Sequence, residues 1–258
     1  KECGEFNPEQ IDSDLIRLWI AHLIEEGVKP RSVNRKLSAV KTFFKYLNKI
    51  EAVNGNPAKK IRGPKTPKKL PAFVHHEEMT RVIDDEQAYP DNFEGERDRF
   101  IMELFYVTGM RKSELIGLKN SDVDNYAKTL RVTGKRNKQR IIPLSDTTVV
   151  KLKKYVELRN REIENKTPYL FVKKNGDPIY PKMIYNIVRK HLDSIPTLSK
   201  RSPHVLRHSF ATEMLNNGAE INAVKELLGH SSLASTEVYT HVTFEELKKV
   251  YHNAHPRA

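Results

Sequence analysis

Apolar residues recur at helical spacing near the start of the chain, where Ile11, Leu15, Leu18, Trp19 and Leu23 share one side of a helix that Glu25-Glu26-Gly27 closes. After Pro30 a second stripe, Val33, Leu37, Val40, Phe44 and Leu47, predicts a longer amphipathic helix with Ser32 as its N-cap. Arg31, Arg35, Lys36, Lys41 and Lys45 fall outside that stripe, so the outer face is basic. Solubility explains such a face as readily as a polyanionic ligand does. The period stops at Asn54-Gly55-Asn56-Pro57.

From residue 57 to 71 the chain carries Pro64 and Pro67 among Lys59, Lys60, Arg62, Lys65, Lys68 and Lys69. This reads as an interdomain linker stiffened by proline, its charge suited to a phosphate backbone or simply to water. The expected organisation is a helical domain over 1–56, the linker over 57–71 and a larger domain over 72–258. Beyond Pro71 the pattern is helical with one break, where Thr129-Leu130-Arg131-Val132 and Arg140-Ile141-Ile142-Pro143 flank a polar, basic turn and predict a β-hairpin. Tyr169-Leu170-Phe171-Val172 followed by Asn175-Gly176 predicts a further strand and turn before helices resume near Pro181. The fold class is therefore mainly α with a small β-sheet, in two domains, for which 258 residues suffice. There is no repeat at a solenoid period and no low-complexity tract.

Charge narrows the partners. Forty-five Lys and Arg against 33 Asp and Glu give +12, a surface that attracts polyanions, nucleic acid first and anionic membrane second. No apolar run approaches the roughly 20 residues of a spanning helix, and no secretory start is visible, which points to a soluble, cytoplasmic protein. Cys3 is the sole cysteine, so neither an internal disulfide nor a cysteine-based zinc site can form. The chain opens on Lys1 and enters helical periodicity almost at once, so further N-terminal sequence is expected to precede it.

Three segments could carry chemistry. In Pro203-His204-Val205-Leu206-Arg207-His208, proline suits a helix start and places His204, Arg207 and His208 on one face, while Leu206, Phe210 and Met214 anchor the neighbouring one. The two histidines stand at i and i+4, but the glutamate of the zinc-protease pattern is absent, so no metal is expected. In Thr108-Gly109-Met110-Arg111-Lys112-Ser113-Glu114-Leu115, glycine breaks an apolar helix just before an arginine suited to a phosphate oxygen. Glu114, one turn on, either orients that guanidinium or forms an ordinary i, i+3 pair. Leu227-Leu228-Gly229-His230 reads as a helix end, followed by Thr236-Glu237-Val238-Tyr239-Thr240, where Tyr239 taken alone is as well read as a packing residue.

Together these pieces stand in the order of a known catalytic set. Through TGMRKSEL, GKRNKQRIIPL, SPHVLRHSFAT and LLGHSSLASTEVYTH the chain resembles the tyrosine recombinase, or phage integrase, family over nearly its whole length, and its closing Asn253-Ala254-His255-Pro256-Arg257-Ala258 is most similar to the bacterial Xer type. The resemblance implies a two-domain DNA clamp, an N-terminal helical core-binding domain of SAM-like kind plus an α+β catalytic domain. It implies Tyr239 as nucleophile, Arg111 and Arg207 on the phosphate, His204 and His230 in proton transfer and phosphate contact, Lys135 as the acid for the leaving oxygen, and Glu114 in support of Arg111. His208 matches a noncatalytic position. Arg136, Lys138 and Arg140 beside Lys135, with Arg31, Arg35, Lys36, Lys41 and Lys45, are expected to contact double-stranded DNA. No cofactor is implied. The expected assembly is four protomers on two sites at the nucleoid, with room for a second recombinase or an accessory protein, and with the helix around Phe244–Tyr251 either docking on a neighbour or packed on its own domain. The implied role is chromosome dimer resolution, or integration and excision of a mobile element. A type IB topoisomerase with the same tyrosine chemistry, and a DNA-binding protein that has lost turnover, are the alternatives.

Overall fold

The computed structural model describes residues 7–67, 72–134, 137–164, 167–229 and 243–257. The chain divides into two compact units, 1–70 and 71–258, each with its own hydrophobic core.

The first unit is built on α1 (Ser13–Glu25) and α2 (Pro30–Lys49). Asp12 caps α1 by accepting the Leu15 amide at 2.7 Å. Pro30 occupies the first turn of α2, where its missing N–H has no helical partner to lose, so Lys29 and not Ser32 is the N-cap. The stripe of α2 packs as its spacing predicts, with Val33, Leu37 and Phe44 buried and Val40 and Leu47 against them. On α1 the buried face is Ile16, Ile20 and Leu23, whereas Leu15 and Leu18 stay 51% and 67% exposed. Both sets obey helical spacing, and they differ by about one residue of rotation, which periodicity alone does not resolve.

The basic segment that follows α2 is folded back onto it. Ala58 and Ile61 are buried in the same core as Val53. The Pro57, Ile61 and Pro64 carbonyls accept from Ser13 Oγ, Lys41 Nζ and Asn34 Nδ2 at 3.0, 2.8 and 2.9 Å. Through Pro64, then, part of the stretch read as linker belongs to the first unit's packing, while Lys59, Lys60, Arg62 and Lys65 point outward.

In the second unit α3 (His76–Asp84) leads to α4 (Phe93–Thr108), the central helix, whose residues from Phe100 to Thr108 are all buried. A helix apolar on every side must be covered on every side. It is packed against α6 (Asp146–Glu162) and α8 (Pro203–Asn216). Between α4 and α6 come the short α5 (Lys112–Ile116) and the strands β1 (Val123–Asp124), β2 (Thr129–Thr133) and β3 (Gln139–Pro143), joined antiparallel in the order β1-β2-β3. The hairpin registers Leu130 with Ile142 and Val132 with Arg140. Tyr169–Val172 is not a continuous strand: it makes isolated bridges, Lys119 with Tyr169 and Val172 with Pro178. Leu170, Phe171 and Val172 are buried in succession, which the one-sided alternation of a half-exposed strand does not allow.

After α7 (Pro181–Leu192), the rest of the unit is α8, α9 (Ile221–Leu228) and α10 (Phe244–Ala254). Phe210 and Met214 of α8 join Ala223, Val224, Leu227 and Leu228 of α9 and Leu247, Tyr251 and Ala254 of α10 in one cluster. The final helix thus packs its apolar face on α8 and α9 of its own unit. Among the described residues no helix is long and apolar enough to cross a membrane.

Candidate functional site

Two helix ends and the hairpin supply the site. Gly109 ends α4 in the left-handed conformation, φ +58°, and a Cβ there would lie 2.6 Å from the Phe210 ring and 2.8 Å from Leu228. Only glycine turns the chain here and lets α4, α8 and the end of α9 approach so closely. Arg111 follows as the N-cap of α5, and Glu114 accepts its backbone N–H at 2.7 Å and its Nη1 at 2.7 Å. At the other helix end Gly229 is left-handed as well, φ +63°, and a Cβ would sit 3.1 Å from the Arg140 side chain.

Three guanidinium groups meet around these ends. Arg207, on α8, donates to the Gly109 carbonyl and to the Leu228 carbonyl, each at 2.7 Å. Arg111 Nη2 donates to the next carbonyl, Gly229, at 3.1 Å. Arg140 donates from Nε to the Leu227 carbonyl at 2.7 Å and spans Glu114 with Nη1 and Nη2 at 3.0 and 2.9 Å. The last carbonyls of a helix lack intrahelical partners and carry the negative end of its dipole, so the C-terminal ends of α4 and α9 are favourable seats for cations. Here side chains cap both.

The charges do not cancel. Glu114 is the carboxylate bonded to Arg111 and Arg140, and with Arg207 beside them the cluster of four carries a surplus of two positive charges. Burial alone would raise the Glu114 carboxyl, but the hydrogen bonds from Arg140 and Arg111 outweigh it and hold it below the ordinary glutamate value. Burial, with Arg111 nearby, pushes Arg207 down to about 10, still cationic at neutral pH. The hydrogen bonds among the described residues use two of the five N–H donors on Arg111 and two of those on Arg207. What remains suits a bidentate oxyanion, above all a phosphate.

His204 lies on α8 one turn before Arg207 and is exposed, and His208 is half-buried. Lys138 is exposed at the hairpin, its carbonyl accepting the Gly134 amide at 2.8 Å. Lys135, Arg136, His230 and Tyr239 lie outside the described residues. In the first unit Arg31, Arg35, Lys36 and Lys45 are exposed along α2, but Lys41 is half-buried and held by the Ile61 carbonyl.

Arg140 departs most from expectation. Read as a backbone contact to DNA, its side chain is instead 9% exposed and committed to Glu114 and Leu227. Its inward placement has a signal in the sequence: on β3 Arg140 and Ile142 share the inward face, and Gln139 and Ile141 point out. The carbonyls of Gly109, Leu227, Leu228 and Gly229 were missed, since backbone acceptors leave no mark in residue identity.

Both units match known protein families. Residues 72–246 match the phage integrase family and residues 4–50 the phage integrase N-terminal SAM-like domain. The chain is 40% identical over 271 residues to tyrosine recombinase XerC of Chlorobaculum parvum, covering 97% of this chain and 81% of that one. Among solved structures it is similar to the XerA recombinase, with 28% identity, a TM-score of 0.57 and coverage of 98% and 87%. The XerH site-specific recombinase bound to a palindromic difH substrate shares the fold at 22% identity, with a TM-score of 0.75 and coverage of 97% and 71%.

Proposed function

The chain belongs to the phage integrase family of tyrosine recombinases, enzymes of DNA strand breakage and rejoining, and on that premise we propose that it recombines DNA at a specific site with Tyr239 as its nucleophile. The observation that carries the reading is the convergence of Arg111 and Arg207 on adjacent carbonyls at the end of α9, with one carboxylate among three guanidiniums.

The Tyr239 phenolic oxygen attacks the scissile phosphorus and loses its proton. The bond from phosphorus to the 5′-oxygen breaks, leaving a 3′-phosphotyrosyl linkage, and Lys135 protonates the departing oxygen. One phosphodiester replaces another, so a 5′-hydroxyl from the partner strand can reverse the step without an energy source. In the transition state negative charge builds on the nonbridging oxygens, and Arg111 and Arg207 stabilise it from preorganised positions. His204 and His230 contact the phosphate and move the phenolic proton.

The exposed basic residues of α2, with Arg136 and Lys138, supply salt-dependent affinity for the duplex. We place four protomers on two DNA sites, acting at the nucleoid, with resolution of chromosome dimers favoured over movement of a mobile element because the curated relatives are XerC proteins. A second recombinase or an accessory protein fits the same scheme.

The test is a suicide substrate nicked beside the cleavage point. Wild-type protein is expected to accumulate a covalent protein–DNA adduct, with EDTA present, and Tyr239→Phe to bind the same DNA without forming it. An adduct that persists in Tyr239→Phe moves the nucleophile elsewhere. Efficient relaxation of supercoils lacking paired sites would favour a topoisomerase.

A further inference from the structure

We infer that Arg140 is a positioning residue that holds the phosphate-binding arginines in place through Glu114 and the end of α9, and that it does not itself contact DNA. This rests on the proposed assignment of Arg111 and Arg207 to the scissile phosphate.

Three observations support it. First, both Glu114 oxygens are shared. Oε1 accepts from Arg111 Nη1 and Arg140 Nη1, and Oε2 from the Arg111 backbone N–H and Arg140 Nη2. A carboxylate offers about four acceptor sites, and all four are used. Glu114 is therefore fixed in rotation, and the Arg111 guanidinium hanging from it is fixed too. Without Arg140 half of those bonds go, and the carboxylate, with a side chain 2% exposed, loses the partner that does most to hold it ionised.

Second, Arg140 Nε holds the Leu227 carbonyl. The next two carbonyls, Leu228 and Gly229, are the ones that Arg207 and Arg111 use. One guanidinium on β3 thus fixes the helix end on which both other guanidiniums lean. Third, the Arg140 side chain packs against the backbone of Gly229, where a Cβ would come within 3.1 Å of its Cδ and Nη1. Position 229 admits no side chain without displacing that fork.

A phosphate contact would look different. It would be open to solvent, as the Arg111 side chain is at 34% exposure, whereas that of Arg140 is 9% exposed. Lysine could not replace Arg140 either, since one ammonium cannot span two carboxylate oxygens and reach a carbonyl in a third direction.

The test uses the full chain with Arg140→Gln and Arg140→Lys. Single-turnover cleavage of the nicked substrate at saturating DNA is expected to fall by roughly 10–100-fold in Arg140→Gln, the usual scale for a supporting residue, and to be only partly restored in Arg140→Lys. DNA affinity and its salt dependence should stay at the wild-type level in both. Cleavage by Arg140→Gln should also fall more steeply toward acid pH than wild type, because Glu114 loses its main stabilising partner and protonates more easily. Weakened binding with a salt slope reduced by about 0.9, at an unchanged saturating rate, would identify a phosphate contact and overturn the inference. A second readout needs no turnover: side-chain ¹⁵N NMR should show slowed rotation of the Arg111 guanidinium in wild type and its loss in Arg140→Gln. An Arg111 signal unchanged by the substitution overturns the inference. A wild-type protein that forms no adduct overturns the proposed function, and the NMR comparison still decides the role of Arg140.

Discussion

Two basic regions of this molecule use the same residue types in opposite ways. Along α2, Arg31, Arg35, Lys36 and Lys45 are exposed on the outer face of the helix. At the ends of α4 and α9, Arg207, Arg111 and Arg140 are each tied by at least two short bonds to a carboxylate or to helix-end carbonyls. The first arrangement suits a ligand met as a line of charge, where contacts add and salt competes. The second suits a single reacting centre, where donors must already stand where charge will develop. Net charge of +12 says nothing about this division; burial does.

The comparison breaks most readily at Arg207. Arg207→Ala is expected to lower single-turnover cleavage by about 10²–10³-fold while leaving the salt dependence of DNA binding nearly intact. A loss confined to affinity would place Arg207 with the α2 residues. The complementary change, Arg31, Arg35 and Lys45 all to Ala, should weaken binding and reduce the slope of log affinity against log salt by up to about 0.9 per lost contact. Its cleavage rate at saturating DNA should match wild type, and a slower saturating rate would mean that α2 does more than bind.

The smallest effect sharpens the contrast through pH. Glu114 is held below its ordinary value of 4.5, so its stabilising contribution is fully present above that value and is lost as pH falls through the lower folded one. The stability gap between wild type and Glu114→Gln, followed by denaturant unfolding, should therefore narrow as pH is lowered from about 6 toward 3. A gap that holds constant would mean that the carboxylate is not what keeps the pocket together. Charge removal on α2 should show no such narrowing.

How much of this was legible in the sequence depends on the kind of contact. The hairpin, the glycine break at Gly109, the proline start of α8 and the stripe of α2 were readable because each rests on local spacing or on one residue's backbone preference. The face of α1 was half readable: Ile11, Trp19 and Leu23 join the core as their spacing says, but Ile16 and Ile20 take the places given to Leu15 and Leu18, because two apolar sets one residue apart satisfy the same period. Tyr169–Val172 misled for a related reason: a short apolar run fits a strand, but here it is an irregular segment whose Leu170, Phe171 and Val172 are buried in succession. The docking of α10 on its own unit depends on Phe210 and Met214, far off in sequence. In the site, residue types and order pointed to Arg111, Glu114 and Arg207, which the fold brings together. Alternation along β3 turns Arg140 inward beside Ile142, a signal that the run of basic residues around it obscures.

Two guanidiniums neutralise the nonbridging oxygens of one phosphate in the proposed reaction, and replacing that phosphate by a neutral methylphosphonate tests this directly. Cleavage by Arg207→Ala should recover by at least about tenfold on the methylphosphonate relative to its rate on phosphate, since the charge left unmatched has been removed. An Arg207→Ala protein equally defective on both substrates would contradict the claim that the pocket works by charge.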